Sequence, residues 1–305
     1  MSLHGNILIT GNGTLTRAIL RQAQRERWDA AFTVFSRNES RLAQAKHLFP
    51  GVRTVIGDVR DAHAVQAAVA GHEVVIHTAA MKRIPECEQQ PSECYATNVG
   101  GTEHVARACL HHGVRTAVFI STDKACRAST AYGASKLLGE SIWRSQPAGR
   151  TAFVGVRYGN VVASNGSVIP IWREQWNHGK LLTVTDMRMT RFWMSPRDAV
   201  RLICHAADGQ HGDVWIPKMG SLPIVRMAEI LCPGARVSES GLRSAEKIHE
   251  DLVAIDEPAI ETETHYVLRG GAPLGRAYSS ATCPTLARDV FLAMLADAEE
   301  LEALR

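Results

Sequence analysis

The sequence predicts an α/β protein, a doubly wound parallel sheet with a smaller C-terminal lobe. Three observations predict it. Short apolar runs alternate with helical stretches through the first half of the chain, the pattern of a parallel sheet covered on both faces. The first run closes in Gly11-Asn12-Gly13, and a helical pattern follows at once. The residues able to do chemistry in this half stand at the carboxyl ends of the runs, where such sheets bind ligands.

The elements follow in order. Residues 6–10 (Asn-Ile-Leu-Ile-Thr) read as a first strand and 17–27 as a helix. Residues 31–36 and 53–57 are further apolar runs, 61–70 is helical in pattern, and 72–78 is a fourth run closed by Ala79 and Ala80. A helix over 97–112, a strand over 115–121, a helix carrying Tyr132 and a strand over 151–156 complete the alternation. Beyond about residue 160, Pro170, Pro196, Pro217, Pro223 and Pro233 break the pattern into short pieces. Residues 1–160 are expected to form a Rossmann-type dinucleotide-binding domain to which later segments return. Most of 161–305 is expected to form a substrate-binding lobe interleaved with it. Residues 284–305 read as an acidic, Leu/Ala-rich packing helix.

The 305 residues suffice for one or two domains. A formal net charge of +3 is too small to point to nucleic acid. No apolar run approaches the ~18 residues of a membrane-spanning helix. The chain enters its first strand directly, so no signal peptide is expected. The seven cysteines include no Cys-x-x-Cys pair, which argues against zinc and against a disulfide framework. Their odd number suits reduced thiols in a cytoplasmic protein. The thirteen histidines show no ligand spacing, and no metal is expected.

A Gly-x-Gly turn between a first strand and a helix suits a pyrophosphate, because the backbone approaches closely and the helix N-terminus donates amides. Gly11, Gly13, Thr14 and Leu15 are its candidates, with Thr16 where a third glycine often sits. The second strand ends in Ser36-Arg37 rather than in an acid. That pair suits a 2′-phosphate, so NADP is expected ahead of NAD; a solvated surface arginine is the rival reading. Asp58, followed by Val59, stands where an acid can hold the adenine amino group, or where it merely caps a turn. Ala79 and Ala80 leave room for the ribose or nicotinamide, or simply pack.

The chemistry concentrates in Ser121-Thr122-Asp123-Lys124 and Tyr132-Gly133-Ala134-Ser135-Lys136. Tyr132 and Lys136 are four apart and share a helix face. A phenol titrates near pH 10, and a neighbouring ammonium lowers that value. With Thr122 adding a hydroxyl, this is the working set of a dehydrogenase for alcohols and ketones. Asp123 and Lys124 add an acid and a base that plain hydride transfer does not need; a structural ion pair is the bland alternative.

These stretches resemble the extended short-chain dehydrogenases/reductases. More narrowly, they resemble UDP-N-acetylglucosamine 4,6-dehydratases of the inverting, polysaccharide-biosynthesis type. The resemblance also runs through residues 35–39, 57–61, 77–85, 97–99, 157–161, 166–170, 189–193 and 246–250, and spans roughly residues 6 to 255. The opening turn is one residue shorter than the family's, and Ala245 replaces a glycine before Glu246-Lys247.

The resemblance implies oxidation at C4 of the sugar, loss of water across C5 and C6, and return of hydride to C6, with inversion at C5 as an option. Tyr132 would take the C4 hydroxyl proton, Lys136 would hold Tyr132 and the cofactor ribose, Lys124 would abstract the C5 proton, and Asp123 would protonate the departing hydroxyl. Lys82 and Asn98 are candidates beside the cofactor, Lys82 also for substrate. Asn160, Ser167, Val168, Thr190, Arg191, Glu246 and Lys247 are candidates for the sugar, diphosphate and nucleotide. A UDP-sugar substrate and a homo-oligomer are expected, with no nucleic-acid or membrane partner. The alternatives are a nucleotide-sugar epimerase of the same superfamily and a catalytically degraded NADP-binding sensor or scaffold.

Overall fold

Apolar strands fix the frame. The computed structural model describes residues 2–164 and 166–302. Its first half holds β1 (Gly5–Thr10), α1 (Thr14–Glu26), β2 (Ala30–Ser36), α2 (Glu39–Leu48), β3 (Arg53–Ile56), α3 (Ala62–Val69), β4 (Val74–His77), α4 (Ile84–Gln89), α5 (Pro91–Tyr95), α6 (Gly101–His112), β5 (Thr116–Ile120), α7 (Ala131–Arg144) and β6 (Ala152–Val156). The second half holds β7 (Asn160–Val161), α8 (Val168–Asn177), β8 (Leu182–Val184), β9 (Thr190–Met194), α9 (Pro196–Ala206), β10 (Val214–Pro217), β11 (Ser221–Pro223), α10 (Ile224–Leu231) and β12 (Val237–Glu239). It ends with β13 (Asp251–Val253), β14 (Pro258–Glu261), β15 (His265–Pro273), β16 (Tyr278–Ser279) and α11 (Arg288–Glu302).

The main sheet runs β14-β15-β10-β6-β5-β4-β1-β2-β3. From β3 to β10 every pairing is parallel; β15 and β14 add an antiparallel edge. Successive side chains of a strand point to opposite faces. Ile7, Ile9, Val74, Ile76, Val118, Val154 and Val156 enter one core with residues of α1 and α9. Their neighbours Leu8, Val75, Ala117, Phe119 and Phe153 enter another with residues of α3, α6 and α7. A third cluster, built on Trp172, Trp193, Met227 and Phe291, lies in the second half of the chain.

The strands and helices expected in the first half are present, with shifts of a few residues at their ends. Helix α2 is an addition. Asn38 starts it by accepting the Arg41 amide at 2.9 Å, but only Leu42 and Ala45 are buried, too few to leave a helical period. The helix expected over 97–112 begins as a π-helical turn, Ala96–Gly100, before α6. The C-terminal helix occupies Arg288–Glu302; residues 303–305 of the expected segment lie outside the described residues. Among the described residues, no helix is long and apolar enough to cross a membrane.

Candidate active site

Just past β5 the chain turns over the carboxyl edge of the sheet, and residues 121–124 gather there. Asp123 is fully buried. Its Oδ1 accepts from Thr122 Oγ1 and from Lys124 Nζ, both at 2.9 Å, while its Oδ2 is buried without a hydrogen-bond partner. Helix α7 then brings Tyr132 in. Thr130 caps that helix by accepting the Gly133 amide at 3.0 Å. A Cβ on Gly133 would stand 2.4 Å from the Lys124 carbonyl oxygen, so α7 seats against this loop only with glycine there. Tyr132, 9 % exposed, lies beside Thr122.

Two electrostatic expectations need correction. Burial pushes the Tyr132 phenol up to about 12, and the cation that opposes this is Lys124, not Lys136. Lys136 instead lies 4.0 Å over the Phe119 ring, and burial lowers its pKa to about 7 against the pull of Glu140. Lys124 is held as its ammonium 2.9 Å from Asp123 Oδ1. Burial disfavours the Lys124 ammonium, but Asp123 and then Glu250 outweigh it and hold the pKa above its ordinary value.

The surrounding candidates divide. Asn160 is brought in, its Oδ1 3.4 Å from Lys124 Nζ. Asn98 grips the loop after β4, accepting the Met81 amide at 2.7 Å and donating to the Met81 carbonyl at 2.9 Å. It also donates to Ser135 Oγ at 2.9 Å, tying that loop to α7. Lys82 on the same loop reaches solvent, and desolvation by its surroundings lowers its pKa. Lys247 donates to the Cys126 carbonyl at 2.8 Å, behind the Asp123–Lys124 turn.

Arg191 spends its donors differently from a phosphate clamp. Nη1 donates to the Thr190 and Ile248 carbonyls and Nη2 to the Lys247 carbonyl, at 2.8 to 2.9 Å. It thereby pins residues 247–248 to β9. Thr190 bonds His249 and Ser280, each at 2.8 Å, and Glu246 lies 4.0 Å from Arg191. Ser167 precedes Val168, the first residue of α8, and its hydroxyl is buried without a partner.

Sequence reasoning missed two carboxylates that arrive from far along the chain. Glu250 Oε1 lies 3.5 Å from Lys124 Nζ. Glu257 Oε1 and Oε2 each accept from Arg157 at 2.8 Å, opposite Glu140, which accepts from Arg157 at 2.6 Å and from Ser121 at 2.7 Å. Glu250 closes residues 246–250, a stretch already singled out; Glu257 left no local signal.

The turn after β1 fits a dinucleotide. Gly11 has φ +89°, and a Cβ there would stand 2.8 Å from Thr78 Oγ1 and 3.0 Å from the Ala79 backbone. Gly13 faces open space at the start of α1, whose first turn carries no acid. Thr16 takes the third glycine's place without loosening the turn; it is fully buried and donates to the Gly11 carbonyl at 3.0 Å. Thr14 and Leu15 open the helix, and Ala79 and Ala80 are half-buried across the turn. At the outer edge, Ser36 ends β2 and Asp58 follows β3. Arg60 holds the Asp58 carboxylate at 2.6 Å and Arg37 stands 3.5 Å away. The Arg60 amide also bonds Asp58 at 3.0 Å, the turn-capping role weighed for this aspartate. Val59 is buried against Gly101.

A family model described as polysaccharide biosynthesis protein matches residues 7–270. The chain belongs to this family. It is 37 % identical over 278 residues to the inverting UDP-N-acetylglucosamine 4,6-dehydratase of Campylobacter jejuni, covering 86 % of this chain and 82 % of that one. It is 38 % identical over 237 residues to the UDP-glucose 4-epimerase of Rickettsia massiliae, covering 74 % and 70 %. Among solved structures, Pen from Bacillus thuringiensis superposes with a TM-score of 0.88 at 28 % identity, covering 98 % of both chains. The dTDP-glucose 4,6-dehydratase DesIV of Streptomyces venezuelae, solved with NAD and TYD, shares the fold with a TM-score of 0.72 at 22 % identity, covering 80 % of this chain and 86 % of that one.

Proposed function

We propose that this protein is a nucleotide-sugar 4,6-dehydratase that converts UDP-N-acetylglucosamine to a UDP-4-keto-6-deoxy-N-acetylhexosamine, using NADP in preference to NAD. The observation that carries this reading is the Asp123–Lys124 pair beside Thr122 and Tyr132. Simple epimerisation at C4 needs no acid at C6. The longer match to the dehydratase, over 278 residues against 237 for the epimerase, supports the same choice. The preference for NADP is supported by Arg37 and Arg60 at the ends of β2 and β3. A homo-oligomer belongs to this reading, with Leu137 and Leu138 exposed on α7 as its apolar face.

Bound dinucleotide supplies a hydride acceptor for C4 and, later, a donor for C6. Tyr132 acts as phenolate: having first given up its own proton to solvent, it takes the C4 hydroxyl proton with the Thr122 hydroxyl beside it, and returns that proton to C5 when hydride reaches C6. The carbonyl at C4 acidifies the C5 hydrogen. A shift of one proton from Lys124 to Asp123 turns the resting ion pair into a neutral base beside a protonated acid, with no exchange of charge with water. Lys124 then takes the C5 proton, and Asp123 gives its proton to the C6 hydroxyl, which leaves as water. The pair ends ionic, as it began. Positioned groups of this kind contribute roughly 100- to 10,000-fold each.

Mass spectrometry of UDP-N-acetylglucosamine incubated with the protein and NADP in deuterated water tests the reading. Loss of one water with uptake of deuterium is expected. An unchanged mass with a C4 epimer as product would favour the epimerase.

A further inference from the structure

Glu250 stands where the second half of the chain meets the end of β5. Its backbone is fixed by a reciprocal pair with Ser280: the Glu250 amide donates to Ser280 Oγ at 2.9 Å, and its carbonyl accepts from the Ser280 amide at 2.8 Å. The side chain is 5 % exposed and turns inward. Oε1 lies 3.5 Å from Lys124 Nζ and Oε2 lies 3.5 Å from Lys247 Nζ. Oε2 is buried and has no hydrogen-bond partner.

These are poor terms for a carboxylate whose task is to hold a fold together. Burial strips it of water, and only short, well-directed bonds repay that loss. Glu257 shows the contrast, with two 2.8 Å bonds from Arg157 and a third from the Ala254 amide at 2.8 Å. What Glu250 does reach is the ammonium of Lys124. That group has three hydrogens and three oxygen neighbours: Asp123 Oδ1 at 2.9 Å, Asn160 Oδ1 at 3.4 Å and Glu250 Oε1 at 3.5 Å. A lysine head sits on a flexible four-carbon stem and must be aimed from more than one side.

We infer that Glu250 is a positioning residue for Lys124, holding its ammonium from the late segment while Asp123 holds it from the sheet. The inference rests on the dehydratase reading, in which Lys124 is the base. The charged and titratable groups acting on Lys124 are Asp123, Glu250 and Arg191, with Lys247 on the far side of Glu250; Tyr132 is faced by Lys124, Asp123, Cys87 and Tyr158.

The test compares the wild-type protein with Glu250→Gln, which keeps the shape and removes the charge, and Glu250→Asp, which keeps the charge and shortens the reach. Lys124 is titrated in the ligand-free protein by carbon-13 NMR of labelled lysine side chains, its signal assigned by its loss in Lys124→Ala. Turnover of UDP-N-acetylglucosamine and deuterium uptake at C5 are measured on the same samples. In Glu250→Gln the Lys124 midpoint is expected to fall by about one to three pH units. Its kcat is expected to fall about 10- to 100-fold with KM nearly unchanged, and Glu250→Asp to recover part of both. A Lys124 midpoint that stays in place, or full kcat in Glu250→Gln, overturns the inference. If Glu250→Gln does not fold, the aspartate variant carries the same two measurements, with a smaller fall expected and no change overturning it. If the wild-type protein dehydrates no nucleotide sugar, the dehydratase reading falls. A midpoint that still moves then keeps the grip on Lys124, and one that does not overturns both.

Discussion

The end of β5 and the outer edge beside β3 are built from the same materials, carboxylates next to cations, and they behave in opposite ways. Asp123 is wholly buried, with Lys124 and Thr122 both bonded to one of its oxygens. Asp58 keeps 24 % of its side-chain surface, and its partners Arg37 and Arg60 keep 58 % and 36 %. Water screens the outer group, so its contacts are weak and readily exchanged for those of an incoming phosphate. Water does not screen the inner group, so the same charges shift pKa values and fix side chains. Burial, rather than residue type, separates the pair proposed to react from the edge proposed to bind.

The largest break in that contrast should come from Lys124→Ala. C5 deuterium uptake is expected to fall by roughly 100- to 10,000-fold while C4 oxidation persists. A variant with full turnover would remove Lys124 as the base and make its pair with Asp123 architectural.

Next in size is Arg157→Met, which leaves the buried Glu140 and the half-buried Glu257 without their shared cation. Removing one partner of a buried pair costs about 3–5 kcal/mol. A urea midpoint close to that of the wild type would show that water reaches this site after all.

A smaller and pH-dependent effect follows from Lys136. Its folded pKa, about 7, lies below the ordinary 10.5, so between those values the unfolded chain binds more protons than the folded one. The Lys136 contribution to stability therefore rises with pH from about 7, and from about 9 buried cysteines such as Cys109 and Cys126, their pKa values raised by burial, begin to pull the other way. Above about 10 the raised Tyr132 pKa adds to that opposing slope, because the folded phenol keeps its proton to about 12. Denaturant unfolding at several pH values should show the rise in wild type and a flatter profile in Lys136→Met. Equal slopes would mean that Lys136 keeps its water in the folded protein.

The smallest effect belongs to the outer edge. Arg37→Ala should weaken NADP by less than about tenfold and leave NAD unmoved, as read by equilibrium binding. Equal weakening of both would detach Arg37 from the 2′-phosphate.

The two regions also differ in how far they were legible. The alternation of strands and helices, the glycine turn and the Tyr132–Lys136 spacing are local, and their periods stand in the sequence. The direction of the Tyr132 shift was not legible. It depends on burial, which outweighs the opposing Lys124 ammonium, while Lys136 lies over Phe119 instead. Arg191 looked like a phosphate clamp because spacing does not reveal that carbonyls of residues 190, 247 and 248 take up its donors. Glu250 and Glu257 follow the same rule. A carboxylate becomes part of a site through what meets it in space, and both partners lie about a hundred residues upstream.

The Arg157 sandwich sets a timetable for the chain. Strand β6 delivers the arginine, and Glu140 is already made, but the second carboxylate is 100 residues further on. Until it emerges, Arg157 can pair with Glu140 alone, and its remaining donors lack the second carboxylate; long-range contacts of this kind form slowly. The carboxyl edge of β5 and β6 therefore gains its last carboxylate only when the segment around residue 257 has emerged.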